Sequence, residues 1–255
     1  MYKYGLGQST SLKTAYKYFE RAANKGFANS QFALAMLHVE AQEEHKAIEW
    51  LQSSAEQGYA PAQFELFYAY KDGLGTDKNI KLATRWLVKA AQSGHGEAAS
   101  MLAYIYEKGI GIPEDIIKAG VWWKRAAALG DISSKVEAAM LYGSPNSSDV
   151  NHEKAINLLK EVENSNTQDS NMALGWLALF YEGGYSGEIN YEKAVKYREK
   201  AIKIGETSSL FPLGLHYLNG SGVEKDFQKA MQLFKKAGES GDHRGRDYLK
   251  VTGFY

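Results

Sequence analysis

One alanine recurs along this chain at a nearly fixed interval, and that recurrence constrains the fold more than any other feature. Ala15, Ala47, Ala83, Ala119, Ala155, Ala194 and Ala230 are separated by 32, 36, 36, 36, 39 and 36 residues. Three residues after each comes a ring or a leucine: Tyr18, Trp50, Trp86, Trp122, Leu158, Tyr197 and Leu233. Four residues further on stand Ala22, Ser54, Ala90, Ala126, Val162, Ala201 and Ala237. This spacing puts all three positions on one helix face, where the small residue admits a neighbouring helix and the large one fills the gap. A stop follows at Gly26, Gly58, Gly94, Gly130, Asn166, Gly205 and Gly241. Glycine and asparagine are the residues that accept the left-handed conformation ending a helix.

Ahead of each of these helices lies another periodic segment, with predicted buried positions at Leu34, Leu66, Leu102, Ala138, Leu177 and Leu213. A Gly-x-Gly turn joins the two at Gly5-Leu6-Gly7, Gly73-Leu74-Gly75, Gly109-Ile110-Gly111 and Gly220-Ser221-Gly222, altered to Gly184-Tyr185-Ser186-Gly187. Such a turn reverses the chain between antiparallel helices. A hairpin of this size cannot bury its apolar face alone, so its recurrence predicts an all-α solenoid of stacked hairpins, about 36 residues each. The frame reads as one solenoid over residues 1–255: a partial first repeat at 1–28, repeats at about 29–60, 61–96, 97–132, 133–171, 172–207 and 208–243, and a capping helix at 244–255. Aligning Gly5 with Gly109 places Tyr2 where Tyr106 sits, so the chain opens at the tail of a first helix. The second repeat has lost four residues, and Val39 to Glu44 must turn more tightly. The fifth replaces its turn with residues 143–148 and lengthens its exit loop, Glu163 to Asn171, which makes it the place expected to bend.

Composition then removes whole classes of function. Thirty basic and thirty acidic residues cancel, whereas a nucleic-acid surface needs a net or clustered positive field. With no cysteine, disulfides and thiolate metal sites are excluded and the redox compartment stays open. No apolar run approaches the roughly 18 residues of a membrane span, and residues 1–7 hold no signal-peptide core. Cytoplasmic and periplasmic locations both remain open, and a monomer is expected. Among the six histidines, His38, His45, His95, His152, His216 and His243, no pair has metal-ligand spacing with a supporting carboxylate. His38 takes the frame position usually held by tyrosine and His216 the one before it, so both have a packing explanation. Gly184 to Gly187 lacks the strand a nucleophile elbow requires. The Gly-x-Gly turns lack the residues of a phosphate cradle. No catalytic residue, cofactor or metal is predicted.

A row of side chains lies outside this packing scheme. Two residues after each buried position come Met36, Tyr68, Tyr104, Met140, Leu179 and Leu215, and one turn earlier on the same face are Phe32, Phe64 and Phe211. Together they make an apolar and aromatic surface of the kind that marks a partner site.

The pattern Ala, Leu-Gly, Tyr, Gly-x-Gly, Lys-Ala, Trp, Lys-Ala-Ala, Gly resembles the Sel1-like repeat, a relative of the tetratricopeptide repeat with many bacterial members. Trp86 with Lys89-Ala90-Ala91, and Leu213-Gly214 with Tyr217, Gly220, Gly222 and Val223, carry the likeness, which covers nearly the whole chain. The resemblance implies a right-handed α-α superhelix acting as an adaptor, scaffold or inhibitor, with the Met36-to-Leu215 row looking into its concave groove. The expected function is therefore non-catalytic binding of a protein or peptide by Phe32, Met36, Phe64, Tyr68, Tyr104, Met140, Leu179, Phe211 and Leu215. The family also includes immunity proteins that neutralise secreted lipase-type toxins, which makes a toxin an alternative partner. Hydrolysis of β-lactams, linked to cysteine-rich members, does not carry over to a chain without cysteine. A hydrolase with its site in the groove is the alternative of another class.

Overall fold

The computed structural model describes residues 12–145, 149–165, 167–185 and 187–254, with the side chains of Leu12, Lys13 and Ala15 left aside. The predicted turn at Gly5 to Gly7, Tyr2, the Ala15 side chain, residues 146–148, Asn166 and Ser186 lie outside the described residues. Fourteen helices and no strand are found among those described. The first, α1 (Leu12–Ala23), is a second helix of the frame. Hairpins follow as α2 (Ala28–Glu40) with α3 (Glu44–Glu56), α4 (Ala60–Asp72) with α5 (Ile80–Gln92), and α6 (Gly96–Lys108) with α7 (Ile116–Ala128). Next come α8 (Ile132–Gly143) with α9 (His152–Val162), α10 (Gln168–Glu182) with α11 (Tyr191–Lys203), and α12 (Leu210–Asn219) with α13 (Phe227–Glu239). The last helix is α14 (His243–Thr252). Two compact units divide the chain between Asp131 and Ile132, and within each the consecutive helices pack on one another.

The frame positions are where the periodicity puts them. Ala47, Ala83, Ala119, Ala155, Ala194 and Ala230 are all buried, as are Leu34, Leu66, Leu102, Ala138, Leu177 and Leu213. Each of those leucines contributes about 1.5–3 kcal/mol relative to exposure. The stop glycines Gly26, Gly58, Gly94, Gly130, Gly205 and Gly241 all have φ between 86° and 98°, the region that penalises a Cβ. Behind them the chain closes by one repeated bond: the amides of Phe27, Tyr59, His95, Asp131, Glu206 and Asp242 donate to the carbonyls of Ala22, Ser54, Ala90, Ala126, Ala201 and Ala237. These are the orphan carbonyls that a helix end must satisfy.

The turns inside the hairpins close as regularly. The amides of Asn79, Asp115, Asn151, Asn190 and Asp226 donate to the carbonyls of Tyr70, Tyr106, Tyr142, Tyr181 and Tyr217. The side chain of each of these five residues then accepts from the amide three residues on, capping the second helix. A lysine one residue before the frame alanine lies over the same tyrosine ring in four repeats, from Lys118 over Tyr106 at 5.5 Å to Lys229 over Tyr217 at 4.0 Å. In the shortened second repeat the turn contracts to Ala41–Glu43, and Gln42 (φ 58°) takes the left-handed place of a glycine. His38, standing for the tyrosine, bonds the Glu43 carboxylate at 2.6 Å instead. In unit 2, a Cβ on Gly143 would strike the Phe180 ring, so the replacement turn of the fifth repeat keeps a glycine for close approach. Asp242 caps α14 through the Arg244 amide at 3.0 Å, and Leu249 anchors that helix in the core.

Candidate functional site

In unit 1 the predicted row lies on α2, α4 and α6. Phe64, expected on the open face, is only 6% exposed and belongs to the core. The reason is local: the frame residue after Leu66 is the bulky Phe67, whose ring stacks on Phe64 at 6.1 Å, while His95 covers another side at 4.4 Å. Phe32 and Met36 are half-buried against the same cluster, Phe32 meeting Tyr59 at 5.4 Å. Tyr68 is half-open, with its ring edge-on to Phe64 at 5.1 Å and the Lys71 ammonium 5.1 Å from its centre. Tyr104 is 48% exposed, with Lys108 at 5.9 Å.

Three carboxylates act on the Tyr68 phenol. Burial pushes the Tyr68 phenol above its ordinary pKa, and Glu97, Glu65 and Asp72 add to the shift, so the hydroxyl remains a donor. Burial also raises the Glu65 carboxyl, with Glu97 adding repulsion. Among the described residues no cation forms an ion pair with Glu65 or Glu97. The half-open Tyr68 ring, met by Lys71 and acted on by both carboxylates, suits recognition of a further cationic side chain.

In unit 2 the row lies on α8, α10 and α12. Leu179 is 46% exposed and Met140 half-buried. Together with Trp176 and Pro145 they line a cleft of about 320 Å³. Trp176 and Leu179 also border a second cleft of about 500 Å³, reaching Met172, Asn171 and Glu206. Trp176 was not part of the predicted row; its signal is a ring at the frame position held elsewhere by Ala33, Glu65, Met101, Glu137 and Pro212. Burial raises the Glu206 carboxyl, but hydrogen bonds from Ser208 and Ser209 outweigh it and its pKa falls. Phe211 and Leu215 pack on the core of this unit. The outer side of Phe211 is shared with the Arg244 guanidinium at 5.0 Å.

The same unit holds a buried ionic clamp. Arg198, 4% exposed on α11, donates from Nε and Nη2 to the two Glu182 oxygens at 2.5 and 2.7 Å. His216 Nε2 meets the same carboxylate at 2.8 Å, and its Nδ1 meets the Ser221 carbonyl at 2.9 Å. Burial raises the Glu182 pKa, but His216 and Arg198 outweigh it and bring it to about 2. The clamp ties α10, α11 and α12 together, which accounts for His216. Among the described residues no three of His, Cys, Asp and Glu are grouped to hold a metal ion, and no helix is long and apolar enough to cross a membrane.

Comparison with known proteins agrees with this architecture. The Sel1 repeat profile matches residues 1–27, 28–59, 60–95, 96–131, 168–206 and 208–242. Residues 132–167 go unmatched, yet they hold α8 and α9, so the fifth hairpin persists with its sequence signature eroded. A protective antigen present in uropathogenic Escherichia coli strains, displaying an SLR fold, is 24% identical with a TM-score of 0.78, over 99% of this chain and 55% of that one. A Sel1 repeat protein from Oxalobacter formigenes is 25% identical with a TM-score of 0.63, over 86% of each chain. DAP3-binding cell death enhancer 1 of rat and mouse is 32% identical over 109 residues, 42% of this chain. That chain is much longer, and the match spans 20% of it. With six matched copies and a helical-hairpin architecture throughout the described residues, the chain belongs to the Sel1 repeat family.

Proposed function

We propose that this chain is a non-catalytic binding module that grips a protein or peptide on the first-helix face of its repeats, the side expected to be concave. Sel1 repeat proteins are protein-interaction modules. The observation that carries the reading here is the half-open Tyr68 ring with the carboxylates of Glu65 and Glu97 acting on it, together with the exposed Tyr104 ring on the next first helix. The exposed Leu179 beside Trp176 supports a further contact in unit 2. A basic side chain of a partner would satisfy the set in unit 1 and an apolar one the set in unit 2, and a captured secreted lipase-type toxin would specify an inhibitory role.

The test is capture from the native host with the wild type and the Tyr68→Ala/Tyr104→Ala variant side by side, followed by calorimetry with the purified partner. The double variant is expected to lose binding while keeping its helical circular dichroism. Equal affinity in wild type and variant would refute the assignment. Loss of the helical signal would assign these rings to the core, and Leu179→Glu, at an exposed position, then tests the face in unit 2.

A further inference from the structure

At two of the Gly-x-Gly turns the second glycine packs on the first turn of the second helix one repeat earlier. A Cβ on Gly75 would stand 2.6 Å from the Glu44 carbonyl oxygen at the start of α3, and one on Gly222 would fall on the Tyr191 backbone at the start of α11. At these two corners only glycine lets neighbouring hairpins close. The Gly75 amide also donates to the Glu44 carboxylate at 3.0 Å. Gly111 holds the same frame position opposite Ile80, but a Cβ added there would meet nothing within 4 Å. That corner of unit 1 stands open, and a cleft of about 760 Å³ occupies the place of the missing contact. Ligand-sized sites span roughly 300–1,000 Å³.

Ile80, Thr84 and Val88, four residues apart on α5, line one wall, and Gly111 with Ile112 lines the other. Alongside the apolar wall runs a second stripe at the same spacing, Lys81, Arg85 and Lys89, all exposed. Like charges one turn apart disfavour the helix that carries them. Among the described residues no carboxylate pairs with these three cations, and none lines the cleft. Lys89 rests over the Trp86 ring at 4.1 Å. An apolar slot with an uncompensated cationic rim is complementary to a segment that is apolar on one stripe and acidic on the next. Two facing walls suit a row of side chains better than the flat surface of a bilayer.

We infer that this cleft is a docking surface separate from the first-helix face, and that its occupant is a short amphipathic acidic segment of a partner protein. Apolar side chains of the segment enter between α5 and the turn joining α6 to α7, while its carboxylates meet Lys81 and Arg85. The probe is a fluorescent helical peptide with a leucine stripe beside a glutamate stripe, titrated into the full chain by anisotropy. A lysine-for-glutamate copy and phosphatidylserine-containing vesicles serve as controls. The glutamate peptide is expected to bind saturably and more weakly as salt rises, and to lose roughly tenfold or more in affinity to Lys81→Glu/Arg85→Glu. Thr84→Trp, which fills the slot without touching the charges, is expected to weaken it as well. Tyr68→Ala/Tyr104→Ala is expected to leave it unchanged, which separates this surface from the first-helix face. No saturable binding, equal binding by the charge-reversed variant, or binding of vesicles in preference to peptide would each overturn the proposal. Unchanged thermal unfolding of the variants establishes that their folds are intact.

Discussion

Replacing Gly75 or Gly111 by alanine makes the same chemical change at the same frame position of one unit, yet the two costs should differ severalfold. Both glycines are left-handed, with φ of 64° and 72°, and placing an alanine there costs about 1–2 kcal/mol. Reduced freedom of the unfolded chain returns about 0.4–1 kcal/mol of this. For Gly111→Ala no further cost arises, because the new methyl meets nothing within 4 Å. Gly75→Ala must in addition push the hairpin off Glu44, whose carbonyl oxygen, carbonyl carbon and Cβ lie 2.6, 2.7 and 2.8 Å from the new atom. Two of these atoms are backbone, so no rotamer change relieves the clash. Overpacking of this kind costs about 1–3 kcal/mol, occasionally more, and the shift also strains the 3.0 Å bond from the Gly75 amide to the Glu44 carboxylate. The expected totals are about 1 kcal/mol or less for Gly111→Ala and about 2–4 kcal/mol for Gly75→Ala. Repeat arrays do not always unfold in one step, so hydrogen exchange over α3 and α4 is the direct readout, with urea unfolding in support. Gly75→Ala should raise exchange in those helices while Gly111→Ala leaves α5 and α6 near wild type. Costs equal to within about 0.5 kcal/mol would show that the two corners are packed alike, and would remove the open cleft with it.

The ionic clamp makes stability depend on acid. The Glu182 pKa is about 2 in the folded chain against an ordinary 4.5, so its contribution is complete above pH 4.5 and is lost as pH falls towards 2. The shift corresponds to about 3 kcal/mol in full, and to about 1–2 kcal/mol after screening at a carboxylate partly open to water. Wild type should therefore exceed Glu182→Gln in urea midpoint at neutral pH and converge on it below pH 3; a gap independent of pH would exclude the clamp as its source. Gln31 and Gln63 offer a gain of stability, since each donates from Nε2 to a carbonyl, Ala23 and Ala55, but only Gln31 has its Oε1 satisfied, by Gln57. Gln63 Oε1 is buried with no partner among the described residues, and the frame equivalent of Gln57 is Ser93. Ser93→Gln should add about 0.5–1.5 kcal/mol, read from thermal or urea unfolding; an unchanged midpoint would mean that the new amide does not reach.

The hairpins were legible in the sequence because the contact between helices is set by residue size, and size repeats. Ala83, Trp86, Ala90 and Gly94 say where a neighbour comes close, where a gap is filled and where the helix stops, and the same sequence of sizes survives at Ala155, Leu158 and Val162 although the profile of the family fades there. The caps were legible too, at Asn79, Asp115, Asn151, Asn190 and Asp226, spaced 36, 36, 39 and 36 residues apart. A reading directed at buried faces passes over them, because a cap is polar and lies outside the helix it secures.

Exposure was less legible, because it depends on which residue the neighbouring repeat places opposite. Phe64 and Tyr68 are one turn apart on the same helix and share one predicted face, yet Phe67 and His95 close over the first and leave the second half-open. The same logic governs the corners. Glu44, Ile80 and Tyr191 stand at one frame position; Gly75 closes on Glu44 and Gly222 on Tyr191, while Gly111 stands clear of Ile80. A repeat thus fixes the packing its own residues make, while each surface that can meet a partner is decided between two repeats, by a pair of residues distant in sequence. The binding surfaces of such a chain are found by asking which of these pairs fails to close, and Gly111 opposite Ile80 is the pair in unit 1 that does so beside unpaired cations.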